Sequence, residues 1–537
     1  MSTDSHTSDH ALPKWFLTDG ERRNDASDIR PWTTGNLVEP LVDGATYFAR
    51  LYQELSTAGR ADHVYVADFR GDTAERLNGP GTAVGFVLSQ LARRGALVFG
   101  LIWRSQPDWL DQSEGANAEL VRVVSDAGGE MLLDSRTRRA GSHHQKFVII
   151  RHPDTPTGDV AFIGGIDLGF SRHDSREHGG DPQVMAFPEV YGDRPPWHDV
   201  QAAIHGPAVN DVEHTFRERW YGSTALDLSS PLRMLIDRAY HAGKLVGREL
   251  PAQLPDPPSA GSHAVQVLRT YPARLRRYPF APLGERSIAH AYRKVFARAK
   301  RLIYIEDQYL WAPFVAELLA SALRNNPDLH LIAVVPRYPD KAGAARLPSL
   351  VGREQAIKLC RAAGHERFAI FDVENPSGNP VYVHAKVVVI DDTWAMIGSD
   401  NLNRRSWTHD SELSCAVLDS EYDPREPHDP GGLGDRARKF ARELRLSLWR
   451  EHLDREAHDE LDDVLDPAKA FAVMQHSAET LQAWYDAGSV GPRPPGRLRP
   501  HVPERLPARH RPWAVPVYRW LYDPDGRSIR DRVRRRP

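Results

Sequence analysis

Cysteine is nearly absent from this chain: Cys360 and Cys415 are the only two in 537 residues. Two thiols cannot build a disulfide framework, and neither is spaced with histidines as zinc ligands would be. A reducing, cytoplasmic compartment is the simplest expectation. Long apolar runs are also missing, since none approaches the ~18 residues needed to cross a bilayer, and no transmembrane segment is expected. The stretch from Met1 to Leu12 is polar, lacks the basic-then-apolar profile of a secretory leader, and reads as a disordered tail. A strong charge of one sign is missing as well. The net charge of −3 gives no whole-molecule field to attract nucleic acid.

What charge there is lies unevenly. Residues 491–537 hold 13 arginines against 4 acids, so the first 490 residues carry about −12. The same tail holds Trp513, Tyr518, Trp520 and Tyr522 among many prolines. Two readings stand open: an arm packed on its own domain with its aromatics docked, or a basic and aromatic contact for anionic lipid headgroups.

Strand-like segments alternate with segments of helical period, the pattern of an α/β fold. Strands are expected over 64–69 and 96–103, with helices over 82–94 and 116–127 and near 210–220. Residues 250–262, LPAQLPDPPSAGS, have the composition of a linker. The pattern then restarts, with helices over 285–299 and 314–324, strands over 302–306 and 329–335, and an amphipathic segment over 436–452. The implied organisation is a tail (1–40), a first half (41–249), the linker (250–262), a second half (263–453) and a basic, Pro-rich C-terminal extension (454–537).

The two halves echo one another. His143-His144-Gln145-Lys146 and the apolar run after it match Val383-His384-Ala385-Lys386 and its run. Each leads to a small-residue turn, Gly164-Gly165-Ile166-Asp167 in one copy and Gly398-Ser399-Asp400-Asn401 in the other. Alternate side chains of a strand share a face, so each His and its Lys present a titratable imidazole and a cation to one anion. His143 falls on the opposite face and reads as structural. Asp167 and Asn401 stand at matching places, where they can orient the lysines or phosphate oxygens.

These residues resemble the phospholipase D superfamily, whose signature is His-x-Lys, four residues, Asp, six residues, then Gly-Ser or Gly-Gly and a nearby Asn. The second copy carries it throughout, as His384, Lys386, Asp391, Gly398, Ser399 and Asn401. Phe162 to Leu168 with Arg172-His173-Asp174, Pro196-Trp197-His198-Asp199, Phe216 to Trp220 and Ile305 to Tyr309 are similar to the phosphatidylcholine-hydrolysing branch shared with plants. The resemblance covers roughly Leu41 to Leu453. One departure falls in the first copy, where Arg151 replaces the signature Asp. Strand alternation turns that position away from His144 and Lys146, so activity is expected to survive, with Asp154 or Asp159 compensating.

The resemblance implies two similar α/β/α sandwich halves with one active site at their interface. It also implies a metal-free, cofactor-free reaction through a phosphohistidine. His144 would attack phosphorus and His384 would protonate the leaving alcohol, while Lys146, Lys386, Asp167 and Asn401 hold the phosphate. Glu412 and Asp174 are the expected carboxylate partners, each serving the histidine of the opposite half. Residues 306–309 would lie near the site without being catalytic, and His198-Asp199 would pack a nearby loop.

The function this implies is hydrolysis of phosphatidylcholine-like lipids to phosphatidic acid by a peripheral enzyme at the inner membrane surface, with transfer to alcohols as a second outcome. The competing readings are a nuclease of the same superfamily, disfavoured because residues 1–490 are acidic and a nucleic-acid partner needs a basic track, and a non-catalytic lipid-binding scaffold.

Overall fold

The computed structural model describes residues 10–105, 113–221, 247–274, 277–456 and 460–533. In the first half the strands are β1 (Thr33–Val42), β2 (His63–Asp68), β3 (Leu97–Trp103), β4 (Glu130–Asp134), β5 (Phe147–Arg151), β6 (Val160–Gly164), β7 (Trp197–His198) and β8 (Val200–His205). The rest of the chain adds β9 (His263–Tyr271), β10 (Glu285–Arg286), β11 (Leu302–Asp307), β12 (His330–Val334), β13 (Phe368–Val373), β14 (Tyr382–Val383), β15 (Lys386–Ile390), β16 (Trp394–Gly398), β17 (Glu412–Asp419) and β18 (Leu498–Pro500).

The duplication is written in the strand order. The first half runs β4-β3-β2-β5-β6-β8-β1 and the second β13-β12-β11-β15-β16-β17-β9. In each, two parallel pairs are followed by four antiparallel ones. β1 and β9 pair antiparallel, with Thr33 opposite Val265 and Asn36 opposite His263, and this joint fuses both halves into one continuous sheet.

The strands are buried on both faces, which is why they read as apolar runs with weak alternation. Alternate residues still part company. Tyr65, Ala67, Ile149, Tyr304, Val387 and Val389 enter one core that spans both halves and includes helices Ala208–Trp220 and Lys439–His452. On the opposite face Val64, Val66 and Ile150 pack under helices Gly44–Thr57 and Val84–Arg93, and Ile303, Ile305 and Val388 under Ser287–Arg298 and Pro313–Asn325. The expected α/β/α layering is therefore present, with one helical layer shared.

The N-terminal end departs from the expected tail, and the C-terminal end packs on the domain, one of its two open readings. Met1–Asp9 lie outside the described residues, but Trp15, Phe16 and Leu17 are buried in the second half's core. β1 begins at Thr33, inside the expected tail. Residues beyond 453 are likewise built in: helix Pro467–Asp486 packs into the shared core and β18 edges the sheet against β13. Apolar residues concentrated at these positions supply the driving force that their polar neighbours obscure.

Candidate active site

The two His–Lys segments sit just ahead of β5 and β15, and each is held by a strand of the opposite half. His143 bridges Ser411, and the His144 N–H donates to the Ser411 carbonyl at 2.9 Å. In the same way β14 pairs with β7, and the His384 N–H donates to the His198 carbonyl at 2.7 Å. In both places the residue after that carbonyl is the acid that meets the histidine. Glu412 Oε2 lies 2.8 Å from His144 Nδ1, and Asp199 Oδ2 lies 2.6 Å from His384 Nδ1.

Asp174 is not the partner of His384. Its carboxylate instead accepts the N–H groups of Ser175, Gly180 and Trp197, tying its own loop to the start of β7. Asp199 takes the place because it immediately precedes β8, the strand equivalent to β17, which opens with Glu412. The small-residue turns fit these acids. A Cβ at Gly165 would fall 2.1 Å from Asp199 Oδ1, whereas Ser399, at the matching place, donates its hydroxyl to Glu412 at 2.6 Å. The shorter acid stands against glycine and the longer one against serine.

Both lysines are buried beside their histidines. Lys146 Nζ donates to the His144 carbonyl at 2.9 Å, stands 4.7 Å from the Phe69 ring centre and 3.4 Å from Asp167 Oδ1. Lys386 Nζ donates to the His384 carbonyl. Asp167 also pairs with Arg172 at 3.2 Å. Asn401 Oδ1 is buried without a hydrogen-bond partner among the described residues. Two further acids hold the loops that carry Asp167 and Asn401: Asp68, which the sequence did not single out, and Asp307, from the segment 306–309 expected near the site. Asp68, closing β2, accepts the N–H of Leu168, and Asp307, closing β11, accepts that of Leu402. Each fixes the loop carrying the residue just before.

Charge follows this geometry. Burial, then Lys386 and Arg172, depress the His384 imidazole well below its ordinary value. Burial also pulls Lys386 down to about 8, although Asp199 opposes the change. Burial raises Asp199. Asp167 stays below the carboxylate range because Lys146 and Arg172 outweigh its burial. Both histidines, Asp167, Arg172 and Asn401 line one cavity of about 2240 Å³, walled by aromatics including Phe69, Trp103, Trp197, Tyr309, Trp311 and Tyr382.

Gln308 and Tyr309 reach that cavity, while Glu306 turns into a buried cluster. There His198 bonds Asp43 at 3.1 Å and Glu306 at 2.8 Å, His452 bonds Glu306 at 2.7 Å, and His178 bonds Glu451 at 2.8 Å. Ligand atoms of Asp43, His178, His198 and Glu451 lie within 4.8 Å of one another, as do those of His198, Glu306 and His452, so either set could hold a cation. Burial works against a charged His198, but Glu306 and Glu451 hold its affinity for a proton well above the ordinary value. The cluster anchors the residue next to Asp199. His143 is fully buried 3.3 Å from Asp134, and its imidazole is pushed down to about 3, chiefly by burial.

A family model described as Phospholipase D matches residues 106–316 and 373–498. The chain belongs to the phospholipase D family. A second model, Cardiolipin synthase, PLD-like domain, matches residues 292–423. Among curated relatives the chain is 25% identical over 551 residues to Phospholipase D alpha 2 of Oryza sativa subsp. japonica, covering 80% of this chain and 65% of that one. It is 24% identical over 605 residues to Phospholipase D alpha 1 of Zea mays, covering 90% and 70%. This phospholipase D family member thus spans about two thirds of the length of those relatives. Among solved structures, phosphatidylserine synthase of Haemophilus influenzae Rd KW20 superposes with a TM-score of 0.49 at 16% identity, covering 82% of this chain and 94% of that one. No helix among the described residues is long and apolar enough to cross a membrane.

Proposed function

We propose that this protein is a phospholipase D that hydrolyses the distal phosphodiester of glycerophospholipids such as phosphatidylcholine, releasing the headgroup alcohol and leaving phosphatidic acid. The observation that carries this reading is the crossed arrangement in one cavity: His144 is paired with Glu412 of the second half, and His384 with Asp199 of the first.

With each Nδ1 engaged by a carboxylate, each Nε2 is the nitrogen left for substrate. Neutral His144 attacks phosphorus, forming the N–P bond as the P–O bond to the headgroup breaks. The proton for the leaving oxygen comes from His384. His384 then takes a proton from water, or from a second alcohol, as that oxygen attacks the phosphohistidine and frees His144. Lys146 and Lys386 face the charge that builds on the non-bridging oxygens, Asp167 holds Lys146 in place, and Asn401 offers its amide. In the free enzyme the cations around His384 favour its neutral form. The negative charge of an arriving phosphodiester offsets them, so His384 gains its proton as substrate binds.

The test is incubation of metal-depleted protein with phosphatidylcholine vesicles in dilute primary alcohol, comparing wild type with His144→Ala and His384→Ala. Phosphatidylalcohol from wild type alone supports both substrate and covalent transfer. No lipid product from any of the three overturns the reading, and a nucleic-acid cleavage assay then separates the nuclease from the scaffold.

A further inference from the structure

The C-terminal segment packs beside the mouth of the active-site cavity and leaves one face uncovered. Helix Arg511–Val517 continues as a wider π-helical turn over Tyr518–Tyr522. Its inner face is pinned. Ala514 and Tyr518 pack on Leu347, Leu350 and Val351 of helix Leu347–Gly364, and the Tyr518 hydroxyl donates to the Trp311 carbonyl at 2.8 Å. The approach is so close that a Cβ at Gly352 would lie 2.5 Å from that hydroxyl. Tyr522 donates to the Ala345 carbonyl, and Arg404 donates to the Asp523 carbonyl at 3.0 Å. A segment held this firmly presents its outer face in a fixed orientation.

That outer face is apolar and basic together. Trp520 is 77% exposed, Leu521 53% and Trp513 39%, an uncommon exposure for large apolar side chains grouped within nine residues. Between Arg505 and Tyr522 there are four arginines and no acid, and Arg505, Arg509 and Arg519 are exposed. Leu521 and Tyr522 themselves line the active-site cavity, so the patch is continuous with the proposed site of lipid cleavage. Val190, 52% exposed, and Arg139, also exposed, line the same cavity.

We propose that this face, centred on Trp520 with Arg519 and Trp513, seats the protein on an anionic phospholipid bilayer and brings the cavity mouth down onto the headgroups. Indole rings settle at the headgroup level, where their apolar body and polar N–H are both satisfied. Each arginine at a negatively charged surface strengthens attachment by about fivefold. The inference rests on the phospholipase reading but is measured without turnover.

Truncation at residue 490 would remove β18 from the sheet edge, so point substitutions are the sharper test. Sedimentation with phosphatidylcholine vesicles, with and without phosphatidylglycerol, compares wild type with Trp520→Ala combined with Arg519→Ala. Wild type is expected to bind the anionic vesicles and to release in salt. The double variant should bind at least about tenfold more weakly while cleaving dispersed short-chain phosphatidylcholine at the wild-type rate. Unchanged vesicle binding by the variant overturns the proposal. So does a fall in apparent mass, which would make the patch a contact between copies of the chain. If no lipid is turned over but vesicle binding still depends on Trp520, the phospholipase reading fails and the docking surface stands.

Discussion

His384 Nδ1 stands 2.6 Å from the carboxylate of Asp199, a residue of the other half of the chain. His144 and Glu412 repeat the relationship in the opposite sense. Neither half therefore supplies the carboxylate for its own cavity histidine, and the complete site needs both halves.

Asp199→Asn and Glu412→Gln keep the shape of each acid but remove its charge. Each is expected to lower kcat by about 10²–10⁴-fold, the usual contribution of a correctly held acid or base, with KM changed only a few-fold. Asp174→Asn should cost far less in kcat, because its bonds run to backbone N–H groups. Steady-state kinetics on the three variants decide the matter, and a larger kcat loss at Asp174 than at Asp199 would reject the assignment.

The depressed His384 has a consequence for pH dependence. In the proposed reaction its proton goes to the leaving group, and in the free enzyme that proton is lost below the ordinary histidine value because burial, Lys386 and Arg172 disfavour the imidazolium. The alkaline limb of kcat/KM, which reports the free enzyme, should therefore lie below pH ~6.5. Bound phosphodiester restores the proton, so the alkaline limb of kcat should lie at higher pH. Parallel profiles of both constants check this, and coincident limbs would count against it.

Lys386, drawn down to about 8, should make anion binding fall with alkaline pH. The amine is charged below that value and neutral above it, and a bound anion favours the charged form. Tungstate keeps its own charge across this range, so in a His384→Ala background, where no histidine takes up a proton with the anion, its affinity by calorimetry should be flat to pH ~8 and then drop by up to about tenfold per unit. In the same background Lys386→Arg supplies a guanidinium that does not titrate, and the loss above pH ~8 should vanish whatever the absolute affinity.

Much of this architecture was legible because the sequence repeats itself. The twin His-x-Lys runs with their small-residue turns located the cavity residues, and period and composition placed β2, β3, β11 and β12 to within a residue or two at most ends. Asp199 was overlooked as a partner because Trp197-His198-Asp199, though part of the resemblance, reads as loop packing. Aligning β8 with β17 would have exposed it, since one acid immediately precedes its strand and the other opens it. The loop-fixing task of Asp68 and Asp307 was hidden for another reason: each looks like an ordinary strand-end acid, even with 306–309 expected near the site, until the loop whose N–H it accepts is in place. The N-terminal end was misread because polar stretches hid Trp15 and Phe16, which dock it, whereas the docking of the C-terminal segment through Ala514 and Tyr518 follows one of the two readings its composition left open.

Arg151 occupies the place where the second copy has Asp391, and the structure gives the two residues different tasks. Asp391 accepts the N–H groups of Lys300, Arg301 and Leu302, fixing the start of β11. Arg151 is fully buried, bonded to Asp159 at 2.8 Å, to Glu213 and to the Pro255 carbonyl of the linker. It stands five residues from Lys146, roughly 16 Å along the strand, too far to touch the phosphate. Arg151→Met should therefore act on stability, leaving Asp159 buried without its cation and Glu213 with Arg217 alone, at a cost of about 3–5 kcal/mol. Denaturant unfolding should show that loss, while kcat per folded molecule stays within about threefold of wild type, as expected for a residue outside hydrogen-bond reach of the chemistry. A variant of normal stability but with kcat reduced a hundredfold would instead tie Arg151 to the reaction.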